Sequence, residues 1–460
     1  MLIKAAILVI VPLAAVHYFL FSYYPEIPAP SIDSDDYFGL GEPHSDDPAI
    51  TDYEINVDSG RIAAFKRGLF KGIATAVPSL EKTHFQYGFD AAYLWTLNKT
   101  VSEFDWSQHE YFLNTFKHFK TELEGVLIHY LRHEFPPKKS QQKVPLLLIH
   151  GFGSSFWDFY KILPVLSNPA RFGFEFGAGN GKTVMFDVIV PSLPGFGFSD
   201  AAVKPGLGSV QTARMLAALM ERLKHSEYFV HGSGALGAEI ASALKLLKPN
   251  AVKGLHLANP FIEIESDLVY RAKWELAQLW PGDTFKDLKG LEIPRAFDVV
   301  KRPDTFGHLL NTSPFGLVSF LLDRWARGIN SPDWQNHHQG HLQTHNTFDE
   351  LLTEAYIYGA INKPLHALRL LYFSQTDPKA AAFRKATISG PVSVLTTPRT
   401  PYNVPIYFLR HKYVDSIIET AKTGGEFVAI ENPELLSKSI FEFVELVLLS
   451  EKSAKTKPKK

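Results

Sequence analysis

The stretch KVPLLLIHGFGSSFWDFYKILPVL, Lys143 to Leu166, decides the fold: an apolar strand, a glycine-rich turn and a helix follow one another. The same order recurs in TVMFDVIVPSLPGFGFSD, Thr183 to Asp200, and in SEYFVHGSGALGAEIASALKLL, Ser226 to Leu247. A further strand follows in VKGLHLANP, Val252 to Pro260. Continuously apolar strands alternating with helices predict a mostly parallel sheet covered on both faces, an α/β fold. Upstream, HFKTELEGVLIHYLRHEF, His118 to Phe135, alternates as a strand would. Between Phe261 and Phe373 the pattern is helical, an insertion after which the sheet resumes at ISGPVSVLTTP and the chain closes on the helix PELLSKSIFEFVELVLL.

The chain of 460 residues is 45% hydrophobic, with 35 Phe, enough for one large domain with insertions or two ordinary ones. A net charge of −1 gives no basic face for nucleic acid. With no cysteine, disulfides, thiol catalysis and Cys-ligated zinc are excluded. Ala5 to Tyr24 is free of Asp, Glu, Lys and Arg and long enough as a helix to cross about 30 Å of hydrocarbon. Tyr18, Tyr23 and Tyr24 at its end suit an interfacial anchor, so a membrane-anchoring helix embedded in the lipid bilayer through residues 5–24 is expected, kinked at Pro12. Lys4 before this span and the acidic SIDSDDYFG after it favour a luminal body, where the sequons at Asn98 and Asn311 would matter. Residues 25–36, rich in proline and acid, read as a linker, and 451–460 as a solvated basic tail.

FQYGFDAAYL, FDW, HFKTELEGVLIHY, HGFGSSFWDFYKILPVL, PSLPGFGFSD, VKGLHLANP, LNTSPFGLVSFLLDRW and GGEFVAIENPELL, in this order, resemble the microsomal epoxide hydrolases, including the juvenile-hormone epoxide hydrolases of insects. The resemblance covers nearly the whole chain. It implies an α/β-hydrolase fold: an N-terminal arm at 37–140, a core at 141–260 and 387–450, and a helical lid at 261–386. It also implies an endoplasmic-reticulum membrane protein with its body in the cytosol, against the charge reading of Lys4, and a chemistry without cofactor or metal. In that family an aspartate on a sharp strand-to-helix turn opens the epoxide to an ester, lid tyrosines protonate the ring oxygen, and a glutamate-oriented histidine activates water.

Carried over position by position, the resemblance places the nucleophile at Ala235, counting back from VKGLHL. It places the orienting acid at Thr400 in TTPRTP and the base at Glu426 in GGEF. The first lid tyrosine falls on Phe320 and the second on Tyr372. In the oxyanion-side loop, His150-Gly151-Phe152-Gly153, Gly153 stands where the family has proline. A methyl group cannot attack an epoxide, and three changed positions, each with matching flanks, imply an inactive homologue with an apolar cavity for a hydrophobic or epoxide ligand.

The competing expectation is a working hydrolase of epoxides or esters with a rearranged site, for which Ser233 is the alternative nucleophile. Ser233 is expected to serve as a small residue between strand and helix, and His231, on the strand before it, is not expected to pair with it. His337, His338, His341 and His345 form a histidine-rich lid loop, read as solvated rather than as a metal site.

Overall fold

The computed structural model describes residues 2–23, 26–32, 36–265, 267–280, 284–286, 288–289, 291, 301–361 and 364–456, with side chains described between residues 10 and 453. Its centre is a nine-stranded sheet in the order β1-β2-β3-β5-β4-β6-β7-β8-β9. The strands are β1 (Thr51–Tyr53), β2 (Lys117–Leu123), β3 (Val126–His133), β4 (Gln141–Ile149), β5 (Thr183–Pro191), β6 (Tyr228–Ser233), β7 (Val252–Ala258), β8 (Val392–Thr396) and β9 (Ile417–Thr420). From β5 to β9 every neighbouring pair is parallel, whereas β1, β2 and β3 join antiparallel at one edge.

The stretch read as one alternating strand is a hairpin. Glu124 (φ 52°) and Gly125 (φ 78°) reverse the chain between β2 and β3. Two consecutive residues with positive φ make the two-residue turn whose twist matches the flanking strands. The alternation was legible, but a turn that uses Glu where Asn or Asp is usual hid the break. β9 was also missed, because a four-residue strand with exposed ends carries too little apolar pattern.

β5 to β7 and the second half of β4, from Leu146, are almost wholly buried, as strands between helical layers require. The C-terminal helix Pro433–Thr456 covers part of the sheet through Phe441, stacked 4.4 Å from Phe176 and 5.0 Å from Phe186. Between β7 and β8 the described elements are all helical: Leu268–Leu279, Pro303–Thr312, Pro314–Gly328, Phe348–Tyr356, a π-helical turn at Ile357–Ile361, Pro364–Thr376 and Pro378–Lys385. Within this lid, Pro303–Thr312 packs on Pro364–Thr376, and Pro314–Gly328 lies against the arm helix Ser59–Thr75.

At the N-terminus Leu2–Phe21 is helical, with Pro12 inside it. Among the described residues no helix is long and apolar enough to cross a membrane. The span expected at 5–24 lies partly outside the described residues, which omit Tyr24 and the side chains before residue 10. Its last turn packs on the body: Leu20 is fully buried, and Phe21 stacks 5.3 Å from Phe285 and meets Trp280 edge-on at 5.5 Å. Lys273 holds the same end by donating to the Tyr23 carbonyl at 2.6 Å.

Candidate functional site

The turn after β6 is sharp because Gly234, the first residue of the helix Gly234–Leu247, has φ +65°. A Cβ built on Gly234 would stand 3.3 Å from Glu426 Oε1 and 3.5 Å from the Tyr402 hydroxyl. Ala235, one residue further on, is buried. The position on the turn that faces Glu426 therefore has no side chain, and it lies one residue before the position reached by ungapped counting.

Glu426 is only 4% exposed. Its Oε1 accepts from Arg324 Nη2 at 2.5 Å and from the Tyr402 hydroxyl at 3.0 Å. Its Oε2 has no hydrogen-bond partner among the described residues. Arg324 comes from the lid helix Pro314–Gly328, is itself buried, and lies over the Phe427 ring. The backbone N–H of Glu426 donates to Gly328 O at 2.8 Å. Lid and core are thus joined through the loop expected to carry a base, by a guanidinium–carboxylate pair held away from water. Such pairs gain little net stability when made, and removing one partner strands a buried charge.

Further carboxyls surround this pair. Burial, with the nearby Glu426 charge, pushes Asp158 up to about 7. Burial likewise raises Glu431 to about 8 and Glu354 well above the ordinary carboxylate range. Glu354 accepts from Ser155 Oγ at 2.9 Å. Burial is the chief cause for all three, and the Asp158 charge adds to it for Glu354 and Glu431.

The loop His150–Gly153 is fixed from the lid. Gly153 has φ +84°, which proline cannot adopt, and donates its N–H to the Tyr358 hydroxyl at 2.8 Å. Tyr358 in turn donates to Ser154 O at 3.0 Å, and Trp325 Nε1 donates to Gly153 O at 2.7 Å. His150 is fully buried, with its pKa lowered to about 4 by burial. It contacts Gly151 O at 2.9 Å and accepts from the Leu193 N–H. The ring of Phe152 lies 6.2 Å from that of Phe320, which packs edge-on to Phe306 at 5.6 Å.

Other expected positions do not join this group. The Thr400 hydroxyl is spent inside its own loop, donating to Tyr402 O at 2.7 Å and reaching Asn403 Oδ1 at 3.0 Å. Tyr402, two residues on, is what reaches Glu426. Tyr372 lines a separate cavity of about 540 Å³ with Leu207, Leu370 and Phe373.

Ser233 does pair with His231, at 2.8 Å, against the expectation. The reason is the period of the strand: adjacent residues face opposite sides, but residues two apart face the same side. The bond opens a buried chain: His231 Nδ1 meets His256 Nδ1 at 2.9 Å, His256 Nε2 meets Ser439 Oγ at 3.0 Å, and Ser439 donates to Glu419 at 2.7 Å. Ser233 is 3% exposed, and burial drives His231 far below its ordinary range.

In the lid loop His337 and His341 stack at 3.8 Å, and His341 approaches Asp333 at 3.0 Å. Among the described residues no group of three or more His, Cys, Asp or Glu is arranged to hold a metal ion.

Sequence reasoning missed Arg324, Tyr402, Tyr358, Asp158 and Glu354. Asp158, an acid inside the aromatic run SSFWDFY, was findable from its neighbours. The others sit on lid helices or the late loop, where nothing local says which face turns inward.

Residues 50–159 match the family model described as epoxide hydrolase N terminus, and residues 144–364 match alpha/beta hydrolase fold. Juvenile hormone epoxide hydrolase 2 of Ctenocephalides felis is 31% identical, covering 91% of this chain and 90% of that protein. Epoxide hydrolase 1 of Oryctolagus cuniculus is 33% identical over 80% of this chain and 83% of that one. The crystal structure of juvenile hormone epoxide hydrolase from the silkworm Bombyx mori superposes with a TM-score of 0.73 at 27% identity, covering 90% of this chain and 99% of that one.

Proposed function

This chain belongs to the epoxide hydrolase family, and we propose that within it the chain is a non-hydrolysing member that binds a hydrophobic ligand. The observation that carries this reading is the glycine on the turn facing Glu426: no side-chain atom is present there to form an ester with an opened epoxide. The place of the base is taken by a carboxylate bound to Arg324 and Tyr402. Phe320, at the first lid position, keeps a ring without a proton to donate. In this reading the empty nucleophile position is Gly234 rather than Ala235, and Thr400 plays no part.

A ligand has room in the cavity of about 540 Å³ that carries Tyr372, a volume within the usual range for small-molecule sites. We place the protein at the endoplasmic-reticulum membrane, held by its N-terminal helix. Ile10, Val11, Leu13 and Tyr18 on that helix are each more than half exposed. Alkaline carbonate extraction of membranes, comparing the full chain with a deletion of residues 1–23, tests this. Equal release of both into the soluble fraction would refute it.

The rival reading, an ester hydrolase acting through Ser233, has the His231 contact in its favour. Against it, Ser233 and His231 lie in the buried chain that ends at Glu419. The test is direct. The purified chain should form no diol from styrene oxide and take no label from a fluorophosphonate probe. Labelling that disappears in Ser233→Ala would establish the rival.

A further inference from the structure

The wall of the 540 Å³ cavity carries more positive charge than a neutral ligand needs. Lys204, Arg302 and Arg369 line it, and among the described lining residues Asp304 is the only carboxylate. Asp304 is engaged by Arg369 through two bonds, Nε to Oδ1 at 2.8 Å and Nη2 to Oδ2 at 2.9 Å, so that pair is internally neutral. Two cations are left over. Lys204 meets uncharged partners, the Gly41 carbonyl at 2.8 Å and the face of the Tyr37 ring at 4.6 Å. Arg302 is exposed, at the residue before the lid helix Pro303–Thr312. His366 also lines the cavity. Leu207, Leu370 and Phe373, with Val203 and Pro205, supply apolar surface to the same wall.

A cavity lined by both apolar side chains and cations without a carboxylate partner is complementary to one class of molecule: an alkyl chain ending in an anion. We propose that the ligand of this site is a long-chain monocarboxylate, its chain along Leu207, Leu370 and Phe373 and its carboxylate between Lys204 and Arg302. This inference rests on the reading of the cavity as the ligand site and adds the charge of what fills it. Hydrogen bonds to a charged group carry more free energy than neutral ones, so the carboxylate distinguishes this ligand from its ester.

The experiment is calorimetric titration of the full chain with palmitate and, separately, with methyl palmitate. Palmitate should bind about tenfold tighter or more, the gain expected of one charge-assisted contact. Arg302→Glu should cost palmitate about tenfold and leave the ester unchanged, and Lys204→Glu should act in the same direction. Leu207→Trp, which adds bulk to the apolar surface, should weaken both ligands. Equal affinity for acid and ester, or a palmitate affinity indifferent to both charge reversals, overturns the carboxylate inference while leaving a hydrophobic site in place. Failure of both ligands to bind the parent overturns the ligand-site reading itself, and the inference with it.

Discussion

Arg324→Ala is the perturbation whose cost the geometry sets most clearly. Arg324 and Glu426 are 6% and 4% exposed, and their contact is 2.5 Å. Removing the guanidinium leaves Glu426 with one hydrogen bond, from Tyr402, and with Oε2 still unpartnered. Breaking a buried pair from one side costs about 3–5 kcal/mol, because the remaining charge is stranded away from water. Glu426→Gln alone should cost less, about 1–3 kcal/mol, since an amide oxygen still accepts from Arg324. The double variant Arg324→Ala/Glu426→Gln should lose much less than the sum of the two, since no buried charge remains at the position. Urea unfolding of the four proteins closes the cycle, read through the slope as well as the midpoint so that a change in the unfolded state is not mistaken for a change in the pair. If Arg324→Ala costs under about 1 kcal/mol, the pair is solvated, and the lid-to-core connection through Glu426 is wrong.

Glu431→Gln tests the buried carboxyls by pH. Its folded pKa is raised from 4.5 to about 8, so the folded state keeps a proton that the unfolded chain has lost. That contribution to stability is present below about pH 4.5 and is lost as pH rises to about 8. The glutamine variant should therefore gain on the parent across this window in urea midpoints, and a constant difference would refute the assignment. Gly153→Pro should destabilise by more than about 1 kcal/mol, because proline can neither take φ +84° nor donate to Tyr358. Tolerance of proline there would show that the loop is differently built. Ser439→Ala should cost about 1–3 kcal/mol by leaving His256 Nε2 unpartnered, and an unchanged unfolding midpoint would contradict the buried chain.

The parallel sheet was legible because β4 to β7 are predominantly apolar runs followed closely by glycine or proline, a local signal that survives without tertiary information. The hairpin at Glu124-Gly125 and the short β9 were not, since turn chemistry and edge strands depend on what lies beside them. Glu426 announced itself in the sequence as an acid between Gly425 and Phe427. What it binds did not, because Arg324 is 102 residues away on a lid helix and Tyr402 lies beyond β8. The turn shows the limit most sharply. Counting pointed to Ala235, whereas the backbone angle at Gly234 and the direction of its missing Cβ, towards Glu426, are visible only in three dimensions.

The absence of a side chain on the turn facing Glu426 can be examined by incubating the purified chain with styrene oxide, limiting for single turnover and in excess for the steady state. Diol and covalently modified protein would both be followed by mass spectrometry. The account requires neither product from the parent, and identical traces from parent and Glu426→Ala. A diol formed at a rate comparable to the hydrolysing relatives, or an ester mapped to any residue of Gly232–Gly237, would contradict it.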